Sequence, residues 1–326
     1  MRRSSAAGRH DGKRGAAANV QTFVALRQIF VVDLFSMKKR GRKADICLFA
    51  AAALLSGTCG AGIVDDAISA EAAVELSSRK VFYGYALNRE PIWIPQASVT
   101  LFDTLTAGVI AYCDMTDWGS QKRRGPSGYG DRSWRYQEID PYVSLRHTFS
   151  PSNLAWLPMS VALSACYQYE YDPPFPNGDT NPDSHYVKCG IGLPDLWLEP
   201  ALNAEFDIDR DHGIYLNLDV GHSFPLAGSD ESPALALRAD VSQGWGDANR
   251  NDTYTGVNRA GLMDTMIRLT IEWTPCPWLR IAPYAAYYEY LFEPHLRDGA
   301  RCIGYGVGRK TESWNFIGGV RIAVSF

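Results

Sequence analysis

The chain has 326 residues, a hydrophobic fraction of 46%, 12% aromatics, 29 glycines and a mean hydropathy of −0.19. That balance excludes a bundle of membrane helices, which would need several apolar runs of about 20 residues, and it suits a β protein with one polar face. The formal net charge of −4 hides a segregation: residues 1–61 hold 11 Lys or Arg and 3 Asp or Glu, which leaves residues 62–326 at −12. An acidic body argues against a general nucleic-acid binder, which needs a basic surface.

In chain order, the first recognisable stretch follows Met37. Lys38, Lys39, Arg40, Arg42 and Lys43 precede a nearly unbroken apolar run from Ile46 to Leu55, then Ser56-Gly57-Thr58-Cys59-Gly60-Ala61. A basic head, a short apolar run and small residues describe a secretory signal peptide over 37–61, with cleavage expected after Ala61. Residues 1–36 then read as a mis-called extension, with translation starting at Met37, or as a leader of another kind. Export would remove Cys47 and Cys59 and leave Cys113, Cys166, Cys189, Cys276 and Cys302. These are odd in number and irregular in spacing, without a CxxC or Cys/His cluster, so no metal site is expected and at least one thiol lacks a partner within the chain.

The body from residue 72 onward shows period-two segments and no convincing amphipathic helix. Met159, Val161, Leu163, Ala165, Tyr167, Tyr169 and Tyr171 alternate with Ser160, Ala162, Ser164, Cys166, Gln168 and Glu170. Leu198, Leu202, Ala204, Phe206 and Ile208 alternate in the same way with Glu199, Asn203, Glu205, Asp207 and Asp209. Twelve strands are expected, at 73–85, 92–104, 106–116, 135–149, 158–172, 184–193, 197–209, 213–224, 234–246, 262–274, 278–291 and 312–326. The connections 117–134, 173–183, 247–261 and 292–311 are long and odd-numbered. The second, sixth and tenth are short, the second centred on Asp103 and Thr104. The fourth and eighth are intermediate, and the first and seventh are short where long ones are allowed. A barrel with both termini at one rim explains this partial parity, and a soluble sandwich gives no reason for it.

The last strand carries the family resemblance. Phe316, Gly318, Val320, Ile322, Val324 and Phe326 fall on one face, and Ile317, Gly319, Arg321, Ala323 and Ser325 on the other. An alternating strand ending on Phe resembles the close of Gram-negative outer-membrane β-barrels. The resemblance implies a single antiparallel up-and-down transmembrane β-barrel in the bacterial outer membrane, with residues 62–326 as the barrel. It further implies that Phe316, Val320, Ile322, Val324 and Phe326 act as an assembly signal read by the barrel-assembly machinery. Val81-Phe82-Tyr83-Gly84-Tyr85-Ala86-Leu87-Asn88-Arg89-Glu90-Pro91 is also similar to the opening of poorly characterised porin-like proteins, with Tyr83 where those carry Arg.

Aromatics are expected in two girdles: Trp93, Trp134, Tyr136, Tyr169, Tyr171, Trp245, Tyr287 and Tyr290 near the outer ends, and Phe149, Trp156, Trp197, Phe224, Trp273, Trp278 and Phe326 near the inner ends. Alternation turns Arg238, Arg268, Arg280 and Arg321 into the lumen from the last four strands as a basic wall. Glu138, Asp140, Glu170, Glu199, Glu205, Asp207 and Asp219 form an acidic wall opposite. The expected function is a passive, porin-like channel whose transverse field orients small polar solutes. The alternative for the same residues is a plugged lumen held by salt bridges. Loop 292–311 is a candidate lid, and Lys122, Arg123, Arg124 and Arg132 of loop 117–134 make a basic patch for lipopolysaccharide or an anionic solute, or simply a solvated loop.

Two further classes stand beside the channel. A hydrolase of the twelve-stranded phospholipase type needs a Ser/His pair, and the adjacent His222 and Ser223 would face opposite sides of a strand. Asp207, Asp209 and Asp211 approach a calcium-loop spacing, but Gly213 falls one place late and no closing Glu follows, so an acidic hairpin turn is expected. A structural or adhesive barrel is the third class. No catalytic residue, cofactor or metal is expected, and outer-membrane lipid and the unknown solute are the expected partners.

Overall fold

The computed structural model describes residues 67–88, 91–116, 134–152, 154, 156–173, 183–229, 233–290, 292–303 and 314–326. The segment expected to be a signal peptide (37–61), residues 1–36 before it and the basic stretch at 122–132 lie outside these residues.

The chain forms one closed barrel of twelve antiparallel strands. The first is β1 (Ile68–Ser77). A small separate hairpin follows, made of β2 (Lys80–Phe82) and β3 (Tyr85–Asn88). The barrel resumes with β4 (Ile92–Leu101), β5 (Leu105–Asp114), β6 (Arg135–Phe149), β7 (Val161–Glu170), β8 (Ser184–Gly192) and β9 (Ala201–Asp207). It ends with β10 (Ile214–Gly228), β11 (Pro233–Gly246), β12 (Gly261–Cys276), β13 (Leu279–Glu289) and β14 (Trp314–Ser325). The ring closes between the first and last strands, with Glu71 opposite Ser325, Val74 opposite Ile322 and Ser77 opposite Gly319. Ala70 and Phe326 exchange backbone hydrogen bonds in both directions, at 3.1 and 2.9 Å, so this seam leaves no open edge.

Alternation decides the faces. On β12, Ile267, Leu269, Ile271 and Trp273 are exposed on the outer wall, while Arg268 and Thr270 turn inward. A side chain of the outward kind needs a hydrocarbon environment, and the inward kind needs hydration or partners. Among the described residues no helix is long and apolar enough to cross a membrane. Exposed Phe102, Trp156, Trp197, Phe224, Trp278 and Phe326 ring the rim that holds the chain's last residue, and Trp134, Tyr171, Trp314 and Phe316 mark the opposite end.

Three expectations are corrected. Strand one does not run over 73–85: it ends at Ser77, and residues 80–88 turn away as the hairpin, so the first connection is long and parity improves. Connections nine and eleven each hold a short helix, α1 (Ala248–Thr255) and α2 (Pro294–Ile303). Local capping builds the first: the Asp247 carboxylate accepts the Arg250 amide at 2.9 Å, and left-handed Gly256 (φ 69°) donates to the Asp252 carbonyl at 2.8 Å. Tyr290 does not join the outer girdle; it is fully buried inside the mouth. The second connection turns one residue earlier than the expected Asp103-Thr104, on Phe102 and Asp103, both at φ 53°, closed by a Thr104 amide to Leu101 carbonyl bond of 3.0 Å.

Two tyrosines lie flat against the inner wall over glycines of the neighbouring strand. Tyr142 faces Gly108, and Tyr284 faces Gly319. A Cβ on either glycine would sit 2.7 Å and 2.5 Å from the respective ring, so only glycine admits them.

Candidate functional site

The structure puts the expected lumen residues on the inner wall. Arg238, Arg268, Arg280 and Arg321 come from four successive strands, β11 to β14. Glu138 and Asp140 come from β6, Glu170 from β7, Glu205 and Asp207 from β9, Asp219 from β10, and Glu199 from the turn before β9. In a ring of this order β12 stands across from β6 and β13 across from β7, so the two sets do occupy opposed arcs.

They are not two bare plates of charge, however. Arg238 bonds Glu199 at 3.0 Å and Asp240 at 2.8 Å. Arg321 and Arg280 reach Glu71 of β1 at 2.5 and 3.8 Å. Arg268 lies 3.9 Å over the Tyr284 ring and donates to the Thr270 hydroxyl at 3.2 Å. On the acidic arc, Lys188 meets Glu205 at 2.8 Å, and Arg210 meets Glu170 at 2.5 Å. Asp140 accepts from Gln168, and Asp219 from Asn203 and Asn217, each at 2.8 Å. Charges on both arcs are paired locally, and Arg238–Glu199 joins the two sets where they meet, so the cross-lumen field shrinks to a set of short dipoles.

Among the described residues, inward-folded segments meet at the end of the barrel away from Phe326. The β2–β3 hairpin folds in from β1 and is gripped from around the ring. Lys80 pairs with Glu138 on β6, the Tyr83 hydroxyl donates to Glu205 on β9, and Tyr290 beyond β13 donates to the Tyr83 carbonyl. Asn315 on β14 donates to the Gly84 carbonyl at 2.9 Å and accepts from Arg79 at 3.2 Å. Arg250 of α1 completes the seal: fully buried, it donates to the Tyr83 hydroxyl at 3.0 Å and pairs with Asp211 at 3.4 Å and Glu205 at 3.5 Å. Tyr83, Tyr254, Met263, Tyr290 and Leu296 of α2 form an apolar cluster beneath. Burial opposes the Arg250 charge, yet Tyr83, Tyr254, Glu205 and Asp211 outweigh it and hold its pKa above the ordinary value. Burial likewise pushes the Asp211 carboxyl up, against the pull of Arg250.

Among the described residues, neither the His222/Ser223 pair nor the 207–213 carboxylates form the arrangement weighed from the sequence. His222 packs tilted against Trp197 and edge-on to Phe224 and bonds the Trp197 carbonyl at 2.7 Å, while the strand register turns Ser223 to the other face, beside Arg238. The 207–213 turn uses its carboxylates on its own backbone: Asp207 accepts the amides of Asp209 (3.0 Å) and Arg210 (2.8 Å), and Asp211 that of Gly213 (2.6 Å). Of the cysteines, Cys166, Cys189 and Cys276 carry free thiols.

Sequence reasoning missed Glu71, Lys80, Tyr83, Lys188, Arg210 and Arg250. Lys188 and Glu71 alternate correctly on their strands and were readable as inward. Lys80 and Tyr83 were hidden because residues 79–85 alternate as a barrel strand would.

No protein-family model matches the chain, and no curated protein matches it in sequence. Solved structures do. An outer-membrane channel from Pseudomonas putida F1 matches at 11% identity, covering 80% of this chain and 96% of that one, with a TM-score of 0.43. The NanC porin matches at 10% identity over 78% and 98%, TM-score 0.43, and Salmonella typhi OmpF at 8% over 80% and 98%, TM-score 0.34. The closed ring of twelve antiparallel strands with an apolar outer wall, rather than any likeness in sequence, makes this chain similar in fold to the outer-membrane porins and barrels.

Proposed function

We propose that the protein is a passive outer-membrane channel for small polar solutes, exported by the 37–61 signal and gated at its mouth. The observation that carries the reading is the pairing of an apolar outer belt with a lumen lined by part-exposed charged side chains in the half nearer Phe326. Glu71, Glu75, Glu199, Asp219, Asp240 and Glu272 there stand against Arg146, Arg238, Arg268, Arg280 and Arg321, six acids to five bases, so the field left after pairing leans toward small cations. The test is single-channel recording of refolded protein in planar bilayers, with the reversal potential read in a KCl gradient. Stepwise, mildly cation-selective events are expected. A folded barrel that stays silent even with residues 79–90 replaced by a short Gly/Ser turn would sink the channel.

Phe316, Val320, Ile322, Val324 and Phe326 share the outer face of β14, and Arg321 faces the lumen. That division supports a role for the five in recognition by the assembly machinery. Deleting Phe326 is expected to lower the yield of heat-modifiable barrel in cells, whereas Arg321→Ala leaves the yield intact and alters selectivity.

A further inference from the structure

The mouth holds a cage built for a cation, and the chain's own lysine sits in it. Lys80 is only 5% exposed and its ammonium is paired with Glu138. The face of Tyr112 lies 4.0 Å from that ammonium. Asp140, 1% exposed, stands beside Lys80, Glu138 and Glu170; one of its oxygens takes the Gln168 amide, and the other, Oδ1, is buried with no hydrogen-bond partner among the described residues. Glu138, Glu170 and Asp172 bring carboxylate oxygens within 4.8 Å of one another. Arg210 neutralises Glu170. Glu138, Asp140, Glu170 and Asp172 therefore surround two cations, Lys80 and Arg210, the latter also 3.7 Å from Asp172, so carboxyl groups outnumber positive groups in the cage.

Carboxylates around a positive end with an aromatic face beside it are the chemistry that recognises an alkylammonium ion. Lys80 reaches the cage from the hairpin, not from the barrel wall, so its ammonium leaves whenever the hairpin does. We propose that this cage is a receptor site for the primary alkylammonium group of a solute, occupied in the closed mouth by Lys80 as a tethered stand-in. An entering amine takes the place of Lys80, and the loss of the Lys80–Glu138 contact loosens the hairpin. The inference rests on the channel reading for its physiological role, but the site itself is measurable without conductance.

Lys80→Ala removes a butylammonium-shaped piece from the cage, so n-butylammonium is the probe and n-butanol its uncharged counterpart. Calorimetric titration of the refolded full-length barrel should show n-butylammonium binding Lys80→Ala about tenfold or more tighter than wild type, the size expected of one charge-assisted contact. Butanol should show no preference, and adding Glu138→Gln should abolish the gain. Equal binding to wild type and Lys80→Ala, or a gain that survives Glu138→Gln, overturns the proposal. If Lys80→Ala does not refold, Lys80→Met keeps the stem and vacates only the charge, and methylammonium replaces the probe with the same criteria. A silent hairpin-less barrel that still yields an amine site in Lys80→Ala would remove the channel and keep the receptor. Conduction without amine binding would do the reverse.

Discussion

The two ends of the lumen use the same ingredients to opposite effect. At the mouth, Arg250 and Lys80 are 0% and 5% exposed and every contact locks one loop to another or to the wall. Toward the Phe326 rim, Arg238 and Arg280 are 31% and 48% exposed and their partners lie on nearby strands of the same wall. A buried charge that loses its partner costs several kcal/mol, while a wet one costs little. Closure and conduction can therefore be divided along the barrel axis simply by how deeply each ion pair is covered.

That division can be broken in graded steps. Arg250→Ala strands Asp211 and part of the Glu205 charge, so a loss of about 3–5 kcal/mol is expected in urea unfolding of the micelle-refolded barrel, with hydrogen exchange placing the loosening at the mouth. Tyr83→Phe removes one hydroxyl shared by Glu205 and Arg250 and should cost about 1–3 kcal/mol by the same measurement, less than the arginine because Lys188 still serves Glu205. Arg280→Ala at the other end should change stability by less than about 1 kcal/mol and shift the reversal potential toward cations. An Arg280→Ala loss as large as that of Arg250→Ala would erase the distinction between the ends.

Most of the barrel was legible because a strand buried on neither face alike writes a period of two into its sequence. β6 spans 135–149, where the alternation placed it, and the lumen set followed from parity alone. The mouth was not legible for two physical reasons. A hairpin packed inside a barrel obeys the same alternation as the wall, so Val81, Tyr83 and Tyr85 read as a continuation of β1. The helices are short, and α1 is held by caps and tertiary contacts rather than by an amphipathic stripe; its Arg250 sits at the centre of the seal on a segment with no apolar periodicity. Tyr290 was misplaced because an aromatic at a strand's outer end suits a headgroup girdle and a plug equally well.

The two flat tyrosines have a bearing on how the sheet finds its register. A slip of two residues keeps every side chain on its proper face, so alternation alone does not forbid it. Such a slip on β14 would bring Tyr284 against Ile317 or Arg321 in place of Gly319, where no ring can lie down. Tyr142 over Gly108 imposes the same condition on β5 and β6. Set on either side of the β1–β4 seam, the two pairs act as dowels: they let the wall slide only into the one alignment in which both rings are seated, and in that alignment they take up none of the bore.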